Sequence, residues 1–151
     1  MGTTVTSAAL SVEIKEAITL NGTVYDQTVS HSITGIGNYM KKILPLGVSA
    51  THEVNTFSAT PRNNEFDIDD LKYIRVTNLD DAEEVIVNFV DSGAETAAIQ
   101  IEAGKSVILF DTKVAGDDGG AAQTSASAIS DLKIHNPNAT VVDVEIVIAT
   151  A

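Results

Sequence analysis

Residues 66–110 read FDIDDLKYIRVTNLDDAEEVIVNFVDSGAETAAIQIEAGKSVILF. Four apolar, β-branched stretches recur in this run at intervals of about ten residues, the spacing of sandwiches and barrels. Leu71–Thr77 stops at Asn78-Leu79-Asp80-Asp81, a turn rich in residues that cap the backbone and tolerate left-handed geometry. Val85–Val90 stops at Asp91-Ser92-Gly93, Ala97–Glu102 stops at Ala103-Gly104, and Ser106–Asp111 follows. Because side chains alternate across a strand, Tyr73 and Arg75 share one face while Ile74 and Val76 share the other. The spacing predicts a meander or a set of strands crossing between sheets, with a Tyr73/Arg75 face turned outward.

Upstream, Leu10, Val12, Ile14, Ile18 and Leu20 alternate with polar residues, the period-two signature of a half-buried strand. Asn21-Gly22 comes next, and both central positions of a type I′ turn need positive φ, so Val24–Thr34 is expected to pair back on Leu10–Leu20. Gly35-Ile36-Gly37 ends that strand. Tyr39–Leu46 fits a helix of about two turns or a strand, with Pro45 and Gly47 limiting the helix. Val48–Phe57 reads as a strand with Val48, Ala50, His52 and Val54 on one face, followed by a polar loop over Ser58–Glu65. Downstream, residues 116–127 (GDDGGAAQTSAS) are too poor in apolar area to order alone and read as a flexible loop or arm. Ile129–His135 and Val141–Ile148 resume the strand pattern, with Asn136-Pro137-Asn138 as the turn between them. This amounts to eight to ten strands and at most one short helix. The expected fold is all-β, an antiparallel β-sandwich of jelly-roll or Greek-key type, in one domain over 1–151 with 1–9 as an N-terminal arm.

Composition narrows the function classes. With 9 Lys+Arg against 21 Asp+Glu the formal net charge is −12, so nucleic acid and anionic lipid are repelled at long range. Cys is absent, which removes disulfides, thiolate nucleophiles and cysteine metal sites. A 44% hydrophobic, 20% charged chain is outside the regime of disorder. No apolar run approaches the ~20 residues of a membrane-spanning helix, and the first residues lack a signal-peptide pattern.

No motif carries a reaction. His31, His52 and His135 lack metal-ligand spacing and read as structural histidines. The acidic pairs Asp80/Asp81, Glu83/Glu84 and Asp117/Asp118, with Asp67/Asp69/Asp70, read as turn chemistry and solubility. Asp117-Asp118-Gly119-Gly120 is the loop where a hard cation would find ligands. There is no G-x-S-x-G, and Gly35-Ile36-Gly37 lacks the third glycine of a dinucleotide loop. The chain is read as a non-enzyme that needs no cofactor. Trp is absent, so the stacking platforms usual in sugar-binding modules reduce to Tyr25, Tyr39 and Tyr73.

Four stretches carry a resemblance. Leu20-Asn21-Gly22-Thr23-Val24-Tyr25, Lys72–Asp80, Ala103–Leu109 and Val142–Ala149, in this order, resemble small structural proteins of tailed bacteriophages, particularly aquatic phages. The resemblance implies a virion component, assembled in the host cytoplasm. It further implies a homo-oligomer, with a trimer favoured, bound to other virion proteins such as major capsid or tail proteins. Capsid decoration or cement is the first placement it suggests; a tail, neck or fibre component, or a host-glycan recognition module, is the alternative. Tyr and Arg are enriched in protein–protein interfaces. The expected contact residues are therefore Tyr39, Tyr73 and Arg75, together with the 116–127 segment and its Asp117, Asp118, Gly119 and Gly120.

Overall fold

The chain alternates turn signals with period-two apolar runs, and the computed structural model turns each run into a strand. It describes residues 6–58, 60, 65–110 and 125–151. Among these there are eleven strands and no helix: β1 (Ala8–Leu20), β2 (Thr23–Ile36), β3 (Asn38–Leu46), β4 (Thr51–Ser58), β5 (Phe66–Asp67), β6 (Leu71–Asn78), β7 (Val85–Asp91), β8 (Thr96–Ile101), β9 (Ser106–Phe110), β10 (Ile129–His135) and β11 (Val142–Thr150). Tyr39–Leu46, open between helix and strand in the sequence, is a strand because it pairs along its whole length with β11, from Val142↔Leu46 to Thr150↔Asn38. Val48 and Ala50, expected in the next strand, lie in a turn instead. Ala50 N donates to Gly47 O at 3.3 Å, Ser49 takes a φ of 50°, and β4 starts only at Thr51.

Two sheets form a sandwich, one ordered β3-β11-β6-β9 and the other β5-β4-β10-β7-β8. Setting aside the β1–β2 hairpin and the two-residue β5, which joins β4 in parallel, eight strands remain. They pair antiparallel from the outside inward: first with last (β3–β11), second with seventh (β4–β10), third with sixth (β6–β9), fourth with fifth (β7–β8). That nesting is the strand order of a jelly roll, one ribbon of strands folded over on itself. The expected sheet crossing is present: β6 lies in one sheet, β7 and β8 in the other, and β9 returns to the first.

The inward faces follow from the alternation. Val142, Val144, Ile146 and Ile148 of β11 and Ile74 and Val76 of β6 are buried against Val85, Val87 and Phe89 of β7 and Leu132 and Ile134 of β10. Burying a side chain of this size contributes roughly 1.5–3 kcal/mol each, so this interlayer is the main source of stability. Two buried amides tie the sheets together at the ends. Asn78 Nδ2 donates to Glu83 O at 2.7 Å and to Ile101 O of the opposite sheet at 3.3 Å. Asn136 Nδ2 lies 3.2 Å from Leu46 O, 3.0 Å from Gly47 O and 2.7 Å from Thr140 O, so the end of β10 is held to the end of β3.

The remaining element stands apart. Asn21 (φ 50°) and Gly22 (φ 81°) make the expected tight turn, and β1 pairs with β2 from Leu20↔Thr23 back to Ala8↔Ile36, a ribbon roughly 40 Å long. Among the described residues only its base is packed: Leu10, Val12, Ile33 and Ile36 lie against Tyr73, Val147, Ala149, Ile108 and Phe110 on the outer surface of the four-stranded sheet. The expectation of a half-buried strand therefore fails beyond Val12, because among the described residues no other sheet covers the distal ribbon, and Ile18 is 58% exposed. Residues 1–9 were expected to form an arm, yet β1 already begins at Ala8. Most of 116–127 lies outside the described residues.

Leu132→Ala is expected to lower the unfolding free energy by about 2–5 kcal/mol, the range for a fully buried leucine. Asn136→Ala, which leaves buried carbonyls without their donor, should cost about 1–3 kcal/mol. Urea unfolding followed by circular dichroism measures both.

Candidate functional site

The outer surface of the four-stranded sheet is organised in cross-strand rows. Tyr39, Ala149, Tyr73 and Phe110 form one, Lys41, Val147, Arg75 and Ile108 the next, and Ile43, Glu145, Thr77 and Ser106 the third. The hairpin base leans over the first two rows. Between them lies a cleft of about 370 Å³, lined by Leu10, Val12, Tyr39, Tyr73, Arg75 and Val147 among others. Three residues expected at an interface, Tyr39, Tyr73 and Arg75, are thus brought into one place. Asp117, Asp118, Gly119 and Gly120 lie outside the described residues.

The three do not present themselves alike. Tyr39 is on an edge strand and 57% exposed. Tyr73 was expected to face outward; it points away from the sandwich core but is only 5% exposed, because the hairpin base covers it and its ring meets Phe110 edge-on at 5.6 Å. Burial pushes its phenol above the ordinary tyrosine range, with Tyr39 adding to the shift and the Arg75 charge opposing it. Arg75 is half-buried and committed to an ion pair: its Nη2 reaches Glu145 Oε1, and its Nη1 donates to Thr77 Oγ1 at 3.4 Å. Glu145 also binds Lys41 Nζ at 2.9 Å, and both cations sit diagonally to it across neighbouring strands. The hydrogen bond and charge of Lys41, with the charge and hydrogen bond of Arg75, hold the Glu145 carboxyl below the usual carboxylate range against the opposing effect of desolvation.

This arrangement has no acid–base pair poised for transfer. It offers an exposed tyrosine ring, a cleft of mixed lining in which Ser11, Glu13 and Arg75 sit beside Leu10, Val12 and Val147, and a network that neutralises the Glu145 carboxylate. The histidines are placed structurally: His52 Nε2 accepts from Gly47 N at 3.1 Å, His135 Nδ1 lies 2.9 Å from Thr51 Oγ1, and His31 stacks near Phe110 at 5.0 Å. Asp80 Oδ1 accepts from Ala82 N and Glu83 N, both at 2.9 Å, which lowers its pKa and identifies it as a turn cap. Among the described residues no group of three or more His, Cys, Asp or Glu side chains could hold a metal ion, and no helix is long and apolar enough to cross a membrane. The second sheet carries a shallow depression of about 400 Å³ on its outer face, lined by Ile86, Asn88, Thr96, Lys133 and His135 with neighbours.

Sequence reasoning missed the distal hairpin as a surface. Its signal was present: one face of a ribbon whose partner strands reach 13 and 14 residues, against 9 or fewer elsewhere, so that no neighbouring strand is long enough to cover it. A scan against models of protein families finds none that matches this chain, and no curated protein matches it either.

Removing the carboxylate tests the network. A group with a depressed folded pKa stabilises above its unfolded pKa and loses that contribution as pH falls through the folded value. Glu145→Gln should therefore melt below wild type at pH 7, and the gap should close as the pH is taken below the ordinary carboxylate range. Thermal melts from pH 7 to pH 3 read this directly.

Proposed function

We propose that this chain is a non-enzymatic structural protein of a tailed-bacteriophage particle, a homo-oligomer that decorates the capsid and cements it through protein–protein contacts. The observation that carries the reading is where the apolar surface lies. A jelly roll closes its own core, yet Ile18, Leu20, Tyr25, Tyr39 and Ile43 stay exposed along the hairpin and the adjoining sheet edge. Monomeric soluble proteins rarely leave large contiguous apolar patches in water, and those that occur mark contact surfaces. The resemblance of the four stretches named above to phage structural proteins supports the class of particle. The net charge of −12 supports an outer position, since packed DNA repels such a chain.

A tail, neck or fibre placement is the second reading, favoured by the same hairpin, which reaches roughly 40 Å and suits contact with a neighbouring ring or fibre as well as a shell. A glycan-recognition role would draw on the depression of the five-stranded sheet, whose lining has polar groups in Asn88, Lys133 and His135.

Electron microscopy of intact particles carrying a labelled copy of this protein should show label over the capsid shell. Label confined to the tail would move the placement to the second reading, and particles that never incorporate the protein would refute the virion role.

A further inference from the structure

Eight residue pairs, from Glu13↔Ser30 to Leu20↔Thr23, extend the β1–β2 ribbon beyond its docked base. A two-stranded ribbon with nothing packed on it is marginally stable in water. Residues directly opposite one another share a face, so Ile14, Ile18, Leu20, Tyr25 and Val29 fall together on one side, in line with the Leu10, Val12 and Ile33 that already dock at the base. The other side carries Glu13, Lys15 and Asp26 among hydroxyl and small residues, with Val24 as its one large apolar side chain.

We propose that the distal half of this hairpin packs its apolar face against the same face of a second copy of the chain. The inference rests on the assembly reading above and names the surface that produces it. Charge argues for a copy as occupant. Of the eight side chains on the face between Ile14 and Val29, Glu16 is the only Asp, Glu, Lys or Arg, so two copies of a −12 chain meet here with little of their mutual repulsion. A partner recognised by charge would find almost nothing to read. Gln27 lies directly across from Glu16, so the one carboxylate of this face has an amide side chain beside it in the same ribbon. Area argues the same way. Ile14, Ile18, Leu20 and Tyr25 leave roughly 400–500 Å² exposed per chain, so two faces together approach the ~1,000 Å² that a specific interface must clear. A self-complementary contact of this kind needs no second gene product and is available as soon as the ribbon forms.

The test uses the full chain. Light scattering coupled to size exclusion should find wild type as a multimer. Ile18→Asp should shift its dissociation to about 100-fold higher concentration, which corresponds to loss of one well-buried aliphatic anchor. Thr28→Asp, which adds the same charge to the opposite face, should leave dissociation where it was. Because the chain has no Cys, Ile18→Cys should form an intermolecular disulfide under mild oxidation and Thr28→Cys should not, a readout that stays valid if the aspartate variant misfolds. A wild-type multimer indifferent to Ile18→Asp, with no Ile18→Cys cross-link, overturns the inference. So does binding to phosphatidylcholine vesicles that Ile18→Asp abolishes in a chain that never self-associates. A wild-type monomer at high concentration likewise overturns it, and leaves the virion reading to the particle imaging, which succeeds or fails independently.

Discussion

The sandwich depends on one strand being buried between two others. β11 lies in the middle of its sheet, bonded to β3 along one edge and β6 along the other, and its Val142, Val144, Ile146 and Ile148 supply the centre of the interlayer. A jelly-roll ribbon brings its first and last strands side by side, here β3 and β11, with the strands between them nested inside that pair. The long-range character of that pairing makes the fold's topology a consequence of its final strand.

The composition of β11 also records what covers each of its faces. Val142-Asp143-Val144-Glu145 alternates, as expected of a strand with one face in the core and one toward water or an ion network. Ile146-Val147-Ile148-Ala149 is continuously apolar, and these four residues are buried on both sides because the hairpin base lies over the outer one. The same change appears in β9, where Val107 and Leu109 pack against the core while Ile108 and Phe110 pack against the hairpin. Glu145 marks the border. Paired with Lys41 and Arg75, it lets the sheet pass from a wet surface to a covered one without an uncompensated charge.

Strand positions were legible because alternation and turn chemistry are local. Asn21-Gly22, Asp80 and Asp91 each act through bonds to residues within a few positions, Asp91 Oδ1 accepting from Gly93 N at 2.8 Å and Glu95 N at 2.9 Å. The all-β sandwich followed from them. The nesting of the strands did not, since nothing in β3 alone specifies that its partner lies a hundred residues away. Tyr73 shows the limit for the site. Its face was correctly assigned relative to Ile74, but the hairpin residues that bury it are about forty to sixty positions earlier, and period-two reading says which way a side chain points without saying what lies there. Val48 and Ala50 failed for a smaller reason: Ser49 in left-handed geometry breaks a pattern that otherwise looks like a strand.

The hairpin inverts the economy of the rest of the molecule. Over the sandwich most large apolar side chains are inside, with Tyr39, Ile43, Val48, Leu79, Ile99 and Val141 exposed among the described residues, and Asp80 and Asp91 cap turns; along the hairpin isoleucine, leucine and tyrosine stand in water on a ribbon that has no need of them to hold its own turn. A ribbon serving only as a polar spacer would be more soluble with both faces like the Lys15 side. In the proposed pairing of two copies, one apolar face at the far end of a projecting element, set in an acidic surface, favours contact at that face over contact elsewhere. In that pairing the acidic surface would contribute specificity by disfavouring other modes of approach, and the apolar face would contribute the affinity.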